Sequence, residues 1–475
     1  MNPPPDKQAD KQADKPKRFF RDNIEAITMA IVMAVMLKYF VVEAYKIPTG
    51  SMQPTLMGNE DTAIFDRILV DKLSFHFREP ERFEIVVFKY PLDRSKNFIK
   101  RLVGMPGEQF RVADGDLWTR KDAGEPWKVL RRPEAVQAVH WRSLDRFDPR
   151  FSAWKVQAGT RGWILEGREQ LSARGGGKVT LPNDGGSVVD RYSDGYPGDM
   201  GPKLSRGRMI PGSHPVGDLR LEGEVTALES CRNVAFEFRE GERLYRMEIP
   251  GPKAPADAVV RIRASGIGED RETVLPGVRL AAGKAARFTA QNMDDLLELH
   301  LDSQRITLEI PGASDQRSSV SIAVEGDADF RELDLARDLY YTADGRRTEF
   351  TIPDGQYVML GDNTQDSSDS REWSLVQYSW PASADNPGSG GGFVRGNFRP
   401  PNENPLKVTG DPAGTRVFLR DEWGELHNFL ERDATRGETI PAPFVPRELI
   451  VGRAVLVFWP LWTGDTGVVR LKWAR

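Results

Sequence analysis

The sequence is poor in the residues on which several common catalytic motifs depend. Its 475 residues include one cysteine, Cys231, so an intrachain disulfide is excluded. The five histidines are scattered without the spacing of metal ligands, so we expect no metal site. Neither a G-x-S-x-G nor an H-E-x-x-H motif is present. Lys and Arg total 66 against 70 Asp and Glu, so no basic excess indicates a nucleic-acid partner.

An apolar run lies near the N-terminus, behind a polar segment that is rich in Lys and Arg. We predict a disordered cytoplasmic tail over 1–22 and a transmembrane helix over 23–44, in which Lys38 extends toward the headgroups. A cleaved signal peptide and a buried soluble helix are the alternatives, but "VVEAYK" lacks the small residues of a cleavage site. By the positive-inside rule, we expect the chain after residue 45 to lie outside the cytoplasmic membrane.

Short apolar runs bounded by turn residues dominate the rest of the chain, as in "FEIVVFKYP" and "ELIVGRAVLVFWP". These runs predict a mostly β protein. Between about residues 120 and 345, strands of alternating apolar and polar residues recur between Gly-rich breaks, which predicts a β-sandwich. We therefore expect one β domain in two parts, 45–120 and 345–475, interrupted by a large β-rich insert over 121–344.

Ser51 lies in the segment "IPTGSMQPTL", with no histidine nearby in sequence, so it needs another base if it is a nucleophile. Lys100 in "NFIKRLVGMPGE" is the candidate. In a strand it shares a face with Phe98 and Leu102, and loss of hydration between these side chains would lower the pKa of its amine toward neutrality. The alternative is that Lys100 reaches solvent and that Ser51 is a structural turn residue.

Five segments occur in an order that resembles the type I signal peptidases, the membrane-bound serine proteases that remove signal peptides. They are "FVVEAYKIPTGSMQPTL", "FEIVVFKYP", "NFIKRLVGMPGE", "IPDGQYVMLGDNTQDSSDSREW" and "VGRAVLVFWP". The likeness covers roughly residues 20 to 112 and 345 to 465. It implies a signal-peptidase-type β catalytic domain behind one N-terminal membrane anchor, with serine endopeptidase activity and no metal or cofactor.

The resemblance also implies a catalytic Ser/Lys dyad. Ser51 matches the nucleophile and Lys100 the general base. Thr49 and the backbone N–H of Ser51 match the oxyanion hole, which stabilises the negative charge of the tetrahedral intermediate.

Further residues match the family's supporting and substrate-binding positions. Ser367 matches the residue that hydrogen-bonds and orients the lysine, and Asp369 with Arg371 matches a supporting ion pair. The residues that resemble the lining of the shallow substrate pockets for small side chains are Ile47, Met52, Leu56, Phe98 and Ile99. The expected partners are signal peptides of exported preproteins, membrane lipid and, transiently, the secretion channel. The peptide would add as a strand beside "KIPT" and "NFIK".

The insert departs most from the family. Its pattern of strands from about 205 to 340 resembles a concanavalin- or laminin-G-like jelly roll, which would be a glycan- or protein-binding module or a structural spacer. Two other functions remain open. An anchored binding protein would act through the insert, although Ser51, Lys100 and Ser367 are intact. A self-cleaving, repressor-type Ser/Lys protease is the other, although no DNA-binding domain is recognisable.

Overall fold

The computed structural model describes most of the chain, in twelve segments. They are residues 15–59, 64–144, 162–166, 170–182, 185–193, 209–210, 212–312, 316–343, 345–380, 392–399, 403–461 and 469–474. The disorder predicted for residues 1–14 lies outside these segments. Residues 15–22, predicted as part of the same tail, are helical, so the first helix begins earlier than the sequence pattern indicates.

Two α-helices occur in the described part of the chain. Helix α1 spans Lys15–Met36 and continues into a π-helical turn over Leu37–Val41, and helix α2 spans Glu134–His140. Short 3₁₀ turns occupy Ser74–His76, Glu431–Asp433 and Arg447–Leu449. None of the helices within the described segments combines the length and the apolar character needed to span a membrane. The transmembrane helix predicted over 23–44 is therefore not supported by the structure.

The described strands are numbered here in chain order. Those before residue 130 are β1 (Val42–Lys46), β2 (Gly58–Asn59), β3 (Ile64–Phe65), β4 (Arg67–Asp71), β5 (Ile85–Tyr90), β6 (Asp93–Gly104), β7 (Gln109–Ala113), β8 (Asp116–Arg120) and β9 (Lys128–Val129). Those of the insert are β10 (Arg142–Ser143), β11 (Trp163–Glu166), β12 (Gln170–Ala173), β13 (Gly177–Leu181), β14 (Tyr192–Ser193), β15 (Met209–Ile210), β16 (Leu219–Ala227), β17 (Asn233–Glu240), β18 (Arg243–Pro250), β19 (Val260–Ser265), β20 (Arg271–Leu275), β21 (Ala285–Met293), β22 (Leu296–Leu301), β23 (Gln304–Glu309), β24 (Ser318–Glu325) and β25 (Ala328–Arg337). Those after residue 345 are β26 (Glu349–Thr351), β27 (Gln356–Leu360), β28 (Ser374–Trp380), β29 (Gly392–Asn397), β30 (Leu406–Val408), β31 (Arg416–Arg420), β32 (Leu426–Leu430), β33 (Thr435–Pro441), β34 (Phe444–Pro446), β35 (Ile450–Trp459) and β36 (Lys472–Trp473). The prediction of a mostly β protein is confirmed.

Strands from both ends of the chain form common sheets. An eight-stranded sheet has the order β1-β4-β35-β5-β6-β27-β34, with β36 on β35, and a four-stranded sheet has the order β26-β7-β8-β9. Strand β1 pairs antiparallel with β4, and this pairing is why the chain is already extended at Val42, inside the predicted transmembrane helix. Strand β6 lies between β5 and β27. The segment that carries Lys100 is therefore a neighbour of the segment that ends in the "GDN" motif, residues 361–363.

Two further sheets are built only from the insert. One has the order β11-β12-β25-β16-β21-β22-β23, with β10 on β25, and the other has the order β13-β24-β17-β18-β19-β20. Apolar residues alternate along their strands, and those of both sheets enter one hydrophobic core, for example Leu221 and Phe288 from the first sheet and Phe236 and Met247 from the second. Burial of these side chains is the main favourable contribution to this core.

The remaining strands form four small sheets. Strands β29-β28-β33 and β30-β31-β32 make two three-stranded sheets late in the chain, and β2-β3 and β14-β15 are two-stranded. Strand β2, paired antiparallel with β3, begins after the turn in which Ser51 lies.

Candidate active site

Ser51 lies in a tight turn between β1 and β2. The backbone N–H of Gln53 donates to the carbonyl oxygen of Gly50 (3.0 Å), which closes the turn. The segment after β27 also stabilises this turn. Asn363 donates from its backbone N–H to Ser51 O and from its side-chain amide to Gly50 O, both at 3.1 Å. The serine is thus fixed by hydrogen bonds on both sides while its side chain stays partly exposed.

Thr49, the predicted oxyanion-hole residue, is exposed two positions before Ser51. Gly58 approaches this segment so closely that a Cβ atom there would lie 2.6 Å from the carbonyl oxygens of Ile47 and Thr49. A glycine is therefore required at 58, since any side chain would displace the segment that leads into Ser51.

Lys100 meets Ser51 across the site. Its Nζ donates to Ser51 Oγ at 2.6 Å, although the two residues are 49 positions apart, and the lysine is only 4% exposed. Burial lowers the pKa of the Lys100 amine to about 8, and Arg371 adds to this, while Asp369 and Asp362 oppose it. An amine with this pKa and this contact can accept the serine proton near neutral pH.

Asp362 of the "GDN" motif anchors the strand that carries Lys100. Both of its oxygens accept from the Arg101 guanidinium, at 2.8 and 2.7 Å, and one also accepts from Thr55 Oγ1 at 2.5 Å. Burial opposes ionisation of the carboxyl, but Arg101 outweighs it and holds the pKa of Asp362 well below its usual range. This bidentate pair ties three segments together: the loop after Ser51, β6 and the end of β27.

Asp369 and Arg371 form the predicted ion pair. The guanidinium donates through Nε and Nη2 to the two carboxylate oxygens, at 2.9 and 2.7 Å, and both side chains are fully buried. The Gly361 N–H also donates to Asp369 (3.1 Å), and Arg371 donates to Thr342 O (2.9 Å). Burial opposes ionisation here too, but Arg371 keeps the pKa of Asp369 lowered. The pair therefore fixes the loop that follows β27.

Ser367 lies beside the dyad without forming the predicted hydrogen bond to Lys100. Its hydroxyl oxygen is buried and has no hydrogen-bond partner among the residues that the structure describes. Gly361 separates it from the nucleophile, since a Cβ atom on Gly361 would lie 2.0 Å from Ser367 Oγ and 2.5 Å from Ser51 O. The predicted hydrogen bond from Ser367 to Lys100 is thus not formed in this structure, and its orienting role stays a prediction.

Comparisons with known proteins match the segments that build this site. A family model described as "Signal peptidase, peptidase S26" matches residues 20–151 and 314–380, which include Ser51, Lys100 and the Asp369–Arg371 pair. The recognition of type I signal peptidases is confirmed over these segments.

Curated relatives of the same kind agree. A probable signal peptidase I-2 of Synechocystis is 38% identical over 114 residues, which are 23% of this chain and 49% of the relative. A probable signal peptidase I-1 of the same organism is 36% identical over 126 residues, 25% of this chain and 61% of the relative. A signal peptidase I of Rickettsia typhi is 32% identical over 118 residues, 22% of this chain and 45% of the relative. The chain thus spans about half of the length of these relatives.

Comparison of folds adds little. A galectin of Caenorhabditis elegans, LEC-6, has a TM-score of 0.20 and 10% identity and covers 27% of this chain and 86% of its own. The carbohydrate binding module CBM66 of Bacillus subtilis has a TM-score of 0.22 and 13% identity and covers 38% of this chain and 99% of its own. At such TM-scores neither likeness carries an argument about this chain.

The predicted pocket residues fall into two groups within the signal-peptidase segments. Four of them belong to or pack against one apolar cluster beneath the Ser51 turn, namely Ile47, Met52, Leu56 and Ile99. Met52 and Leu56 are fully buried, so in this state they support the site from below rather than line an open surface. Phe98 lies apart, stacked on Tyr90 with ring centroids 4.2 Å apart, and its ring centroid is 5.8 Å from Lys100 Nζ.

The sequence analysis did not identify two residues of the candidate site, Asp362 and His140. Asp362 is part of the recognised "GDN" motif, and its place in that motif could have identified it as a site residue. His140 at the end of α2 gave no signal, because the histidines are far apart in sequence. Its Nε2 lies 3.4 Å from Asp362 Oδ2, and burial, despite the nearby carboxylate, lowers the pKa of the imidazole to about 4. His140 is therefore neutral near pH 7 and packs against the buried carboxylate from the insert.

Proposed function

We propose that this chain is a membrane-associated serine endopeptidase that removes N-terminal signal peptides from exported preproteins and cuts after small residues. The observation that carries the proposal is the 2.6 Å contact between the buried Lys100 amine and the Ser51 hydroxyl. The similarity to signal peptidases I, which covers the dyad and its supporting loops, supplies the substrate class.

The dyad performs both halves of the reaction. The uncharged Lys100 amine takes the hydroxyl proton as Ser51 Oγ attacks the carbonyl carbon of the scissile bond. The resulting ammonium then gives that proton to the leaving amine, and the peptide bond breaks to an acyl-enzyme. The free amine next takes a proton from the water that attacks the ester, and it returns this proton to Ser51 Oγ as the ester bond breaks and the acyl group leaves as a carboxylic acid. With a pKa near 8, about a tenth of the amine is uncharged at pH 7, roughly 300-fold more than for a lysine with an unperturbed pKa.

The surrounding groups are proposed to position the substrate and the base. The Thr49 hydroxyl, which is exposed, and the Ser51 N–H would donate to the oxyanion of the tetrahedral intermediate. The Ser367 hydroxyl is buried beside the dyad, and we assign it the role of orienting Lys100 once the Oγ contact is released to substrate. The Asp369–Arg371 pair holds the Ser367 loop in place. The preprotein would lie as an added strand along "KIPT" and "NFIK".

Association with the membrane is part of the same proposal. Large apolar side chains of α1 and the π-helical turn are exposed on all sides, and they are Ile24, Ile27, Met29, Ile31, Val32, Met33, Val35, Met36, Leu37 and Phe40. Exposed apolar surface of this extent needs lipid or another apolar partner. We propose lipid contact in the bacterial cytoplasmic membrane, with the dyad on its outer side close to the secretion channel. Co-flotation with phospholipid vesicles tests this lipid contact. The full chain should float with the vesicles, whereas a chain lacking residues 1–41 should stay in the dense fraction.

The insert over 121–344 is proposed to be a separate two-sheet sandwich inserted between the two parts of the peptidase. Apolar residues of both insert sheets share one core, which supports this division. The strand pattern of the insert fits both a binding module and a structural spacer, and an experiment can distinguish the two. Cleavage assays on a chain in which roughly residues 150–340 are replaced by a short linker separate these roles, provided that the shortened chain folds.

The decisive experiment for the activity is cleavage of a model preprotein by the full chain in detergent, with mass-spectrometric mapping of the cut. We expect one cut after a small residue at the end of the signal peptide, and no cut by the Ser51→Ala variant. The matched control is Ser95→Ala, because Ser95 is exposed on β6 and its hydroxyl donates to Asp93 rather than to either residue of the dyad. Undiminished cleavage by Ser51→Ala would overturn the proposal, and fragments of the chain itself without preprotein cleavage would favour a self-cleaving protease.

A further inference from the structure

Three aspartates that are distant in sequence meet where the four-stranded sheet faces the insert. Asp116 begins β8, Asp218 directly precedes β16, and Asp294 lies in the turn between β21 and β22. One carboxylate oxygen of each lies within 4.8 Å of those of the other two. Since Ca²⁺ binds carboxylate oxygens at about 2.3–2.6 Å, a single ion placed between them can contact all three.

Asp294 supplies an independent indication that something else binds there. The residue is 2% exposed, and its Oδ2 is buried without a hydrogen-bond partner in the part of the chain that the structure describes. Its backbone N–H donates to both oxygens of Asp218, at 3.2 and 3.3 Å, which draws the two carboxyl groups together. A buried carboxylate oxygen without a partner is costly, so its persistence indicates a ligand that is a cation or a proton.

The neighbouring arginines leave room for a cation. Arg132 is paired with Asp338 at 2.6 Å, and Arg131 is paired with Glu309 at 2.8 Å. Arg131 also donates to Asp294, but to its backbone carbonyl oxygen (3.1 and 3.2 Å) rather than to its carboxylate. Each guanidinium therefore has a carboxylate partner outside the cluster.

We propose that Asp116, Asp218 and Asp294 form a binding site for one Ca²⁺ ion, which fastens the insert to strand β8. Calcium suits these ligands better than Mg²⁺, because it accepts oxygen ligands in flexible geometry, whereas Mg²⁺ demands a near-ideal octahedron and gives up water reluctantly. The site crosses from the sheet that contains β7 and β26 to the insert. Its occupancy would therefore set how firmly the two parts are joined, independently of whether the dyad cleaves signal peptides.

Binding is tested on the full chain in detergent after treatment with EGTA. Isothermal titration with CaCl₂ should show one site, and Ca²⁺ should raise the thermal unfolding temperature while excess EGTA lowers it again. Trp118 follows Asp116 on the same face of β8, so Tb³⁺ bound at the site should show tryptophan-sensitised luminescence that Ca²⁺ displaces and that Trp118→Phe weakens. If millimolar Ca²⁺ produces no binding heat and no change in the thermal unfolding temperature, the proposal is overturned.

Variants then locate the site. Asp294 has φ +47°, and Asn tolerates this left-handed conformation, so Asp294→Asn should keep the turn. We expect Asp294→Asn and Asp116→Asn each to weaken Ca²⁺ binding by at least about 100-fold, because each removes a charged ligand. The matched control is Asp421→Asn, taken from another group of neighbouring acidic and histidine side chains, Asp421, Glu425 and His427. Unchanged affinity in both cluster variants would overturn the assignment.

A bound proton is the competing explanation for Asp294. In that case Asp294→Asn would mimic the protonated acid, and both the wild-type chain and the variant would unfold at temperatures that are indifferent to Ca²⁺ and EGTA. That outcome contradicts the calcium site directly. If the variants fail to fold, the titration and the Tb³⁺ displacement on the wild-type chain still decide between the two.

Discussion

The surroundings of the dyad and the core of the insert bury different chemistry. Among the residues that the structure describes, the charged side chains buried around Ser51 include Lys100, Arg101, Asp362, Asp369 and Arg371, none more than 4% exposed. The core shared by the insert sheets instead packs apolar side chains such as Phe236, Phe288 and Ile322. Burying charge is expensive unless it is paired, whereas apolar burial is favourable in itself.

This difference in buried chemistry shows that the fold accepts the energetic cost of burying charge around the dyad. Four of the five charges form two bidentate pairs, Arg101–Asp362 and Arg371–Asp369, and these pairs hold the loops on either side of the dyad. Within the described segments Lys100 has no comparable carboxylate contact, and its amine donates to the Ser51 hydroxyl instead. Of these five side chains, Lys100 is thus the one without a bidentate partner, which is the arrangement expected for a catalytic base.

The largest effect is expected from replacing that amine with an apolar side chain of similar length. Lys100→Met should reduce cleavage by more than about 10³-fold, because Lys100 is the base that contacts Ser51 Oγ among the residues the structure describes. The same variant should unfold no more easily than the wild type, since it removes a buried amine without a carboxylate partner. Cleavage rates and denaturant unfolding measure the two effects.

Lys96→Met on the same strand is its control. Lys96 is exposed and contacts Asp93 rather than Ser51, so this variant should leave cleavage unchanged. If Lys100→Met kept activity, or lost it only because the protein unfolded, the contrast between the unpaired and the paired charges would be wrong.

Removing one member of a buried pair should be costly for stability as well as activity. Asp362→Ala leaves the Arg101 guanidinium buried without its carboxylate, and we expect a loss of about 3–5 kcal/mol in the free energy of unfolding. Cleavage should also fall, because Asp362 links β6 to the loop after Ser51 through Arg101 and Thr55. Chemical denaturation and the cleavage assay are the measurements.

The matched substitution is Asp366→Ala, four residues further on. Asp366 is exposed in the same loop, so its loss should change the free energy of unfolding by no more than about 0.5 kcal/mol. Equal effects of the two substitutions would mean that the Arg101–Asp362 pair has no special importance for the site.

The pH dependence of cleavage should report the buried amine. Since only the uncharged form of Lys100 accepts the serine proton, kcat/KM should rise with pH and level off above an apparent pKa of about 8. An unshifted lysine would keep gaining activity toward pH 10 and beyond. From pH 7 to the plateau the expected gain is about tenfold, measured under conditions in which the chain remains folded. A profile that is flat between pH 6 and 9 would contradict this role for Lys100.

The sequence predicted those parts of the site that depend on local pattern. Strand alternation places Phe98 and Lys100 on one face, and the structure agrees in the 5.8 Å distance from the amine to the ring centroid. The Asp369–Arg371 pair is separated by one residue and was recognisable from its motif. The Arg101–Asp362 contact joins residues 261 positions apart. It depends on the pairing of β6 with β27, which no local periodicity reveals.

The same reasoning explains the other differences. His140 reaches Asp362 because α2 packs against the first part of the chain, and neither its neighbours in sequence nor a ligand spacing indicated this. The early end of α1 depends on the partner strand β4, which draws residues from Val42 onward into the sheet. Long-range pairing therefore set the features that local composition and motif did not.

The smallest expected effect lies in the insert core and completes the comparison. Ile322 is fully buried on β24, and Ile322→Val should reduce the free energy of unfolding by about 0.5–1.5 kcal/mol through loss of one methylene. Ile164→Val is the matched control, because Ile164 is 49% exposed and should lose less. Neither substitution should shift the pH profile of cleavage, since no charge that influences Lys100 changes. A shift of the apparent pKa by Ile322→Val would mean that the apolar core of the insert and the charged surroundings of the dyad form one energetically coupled unit.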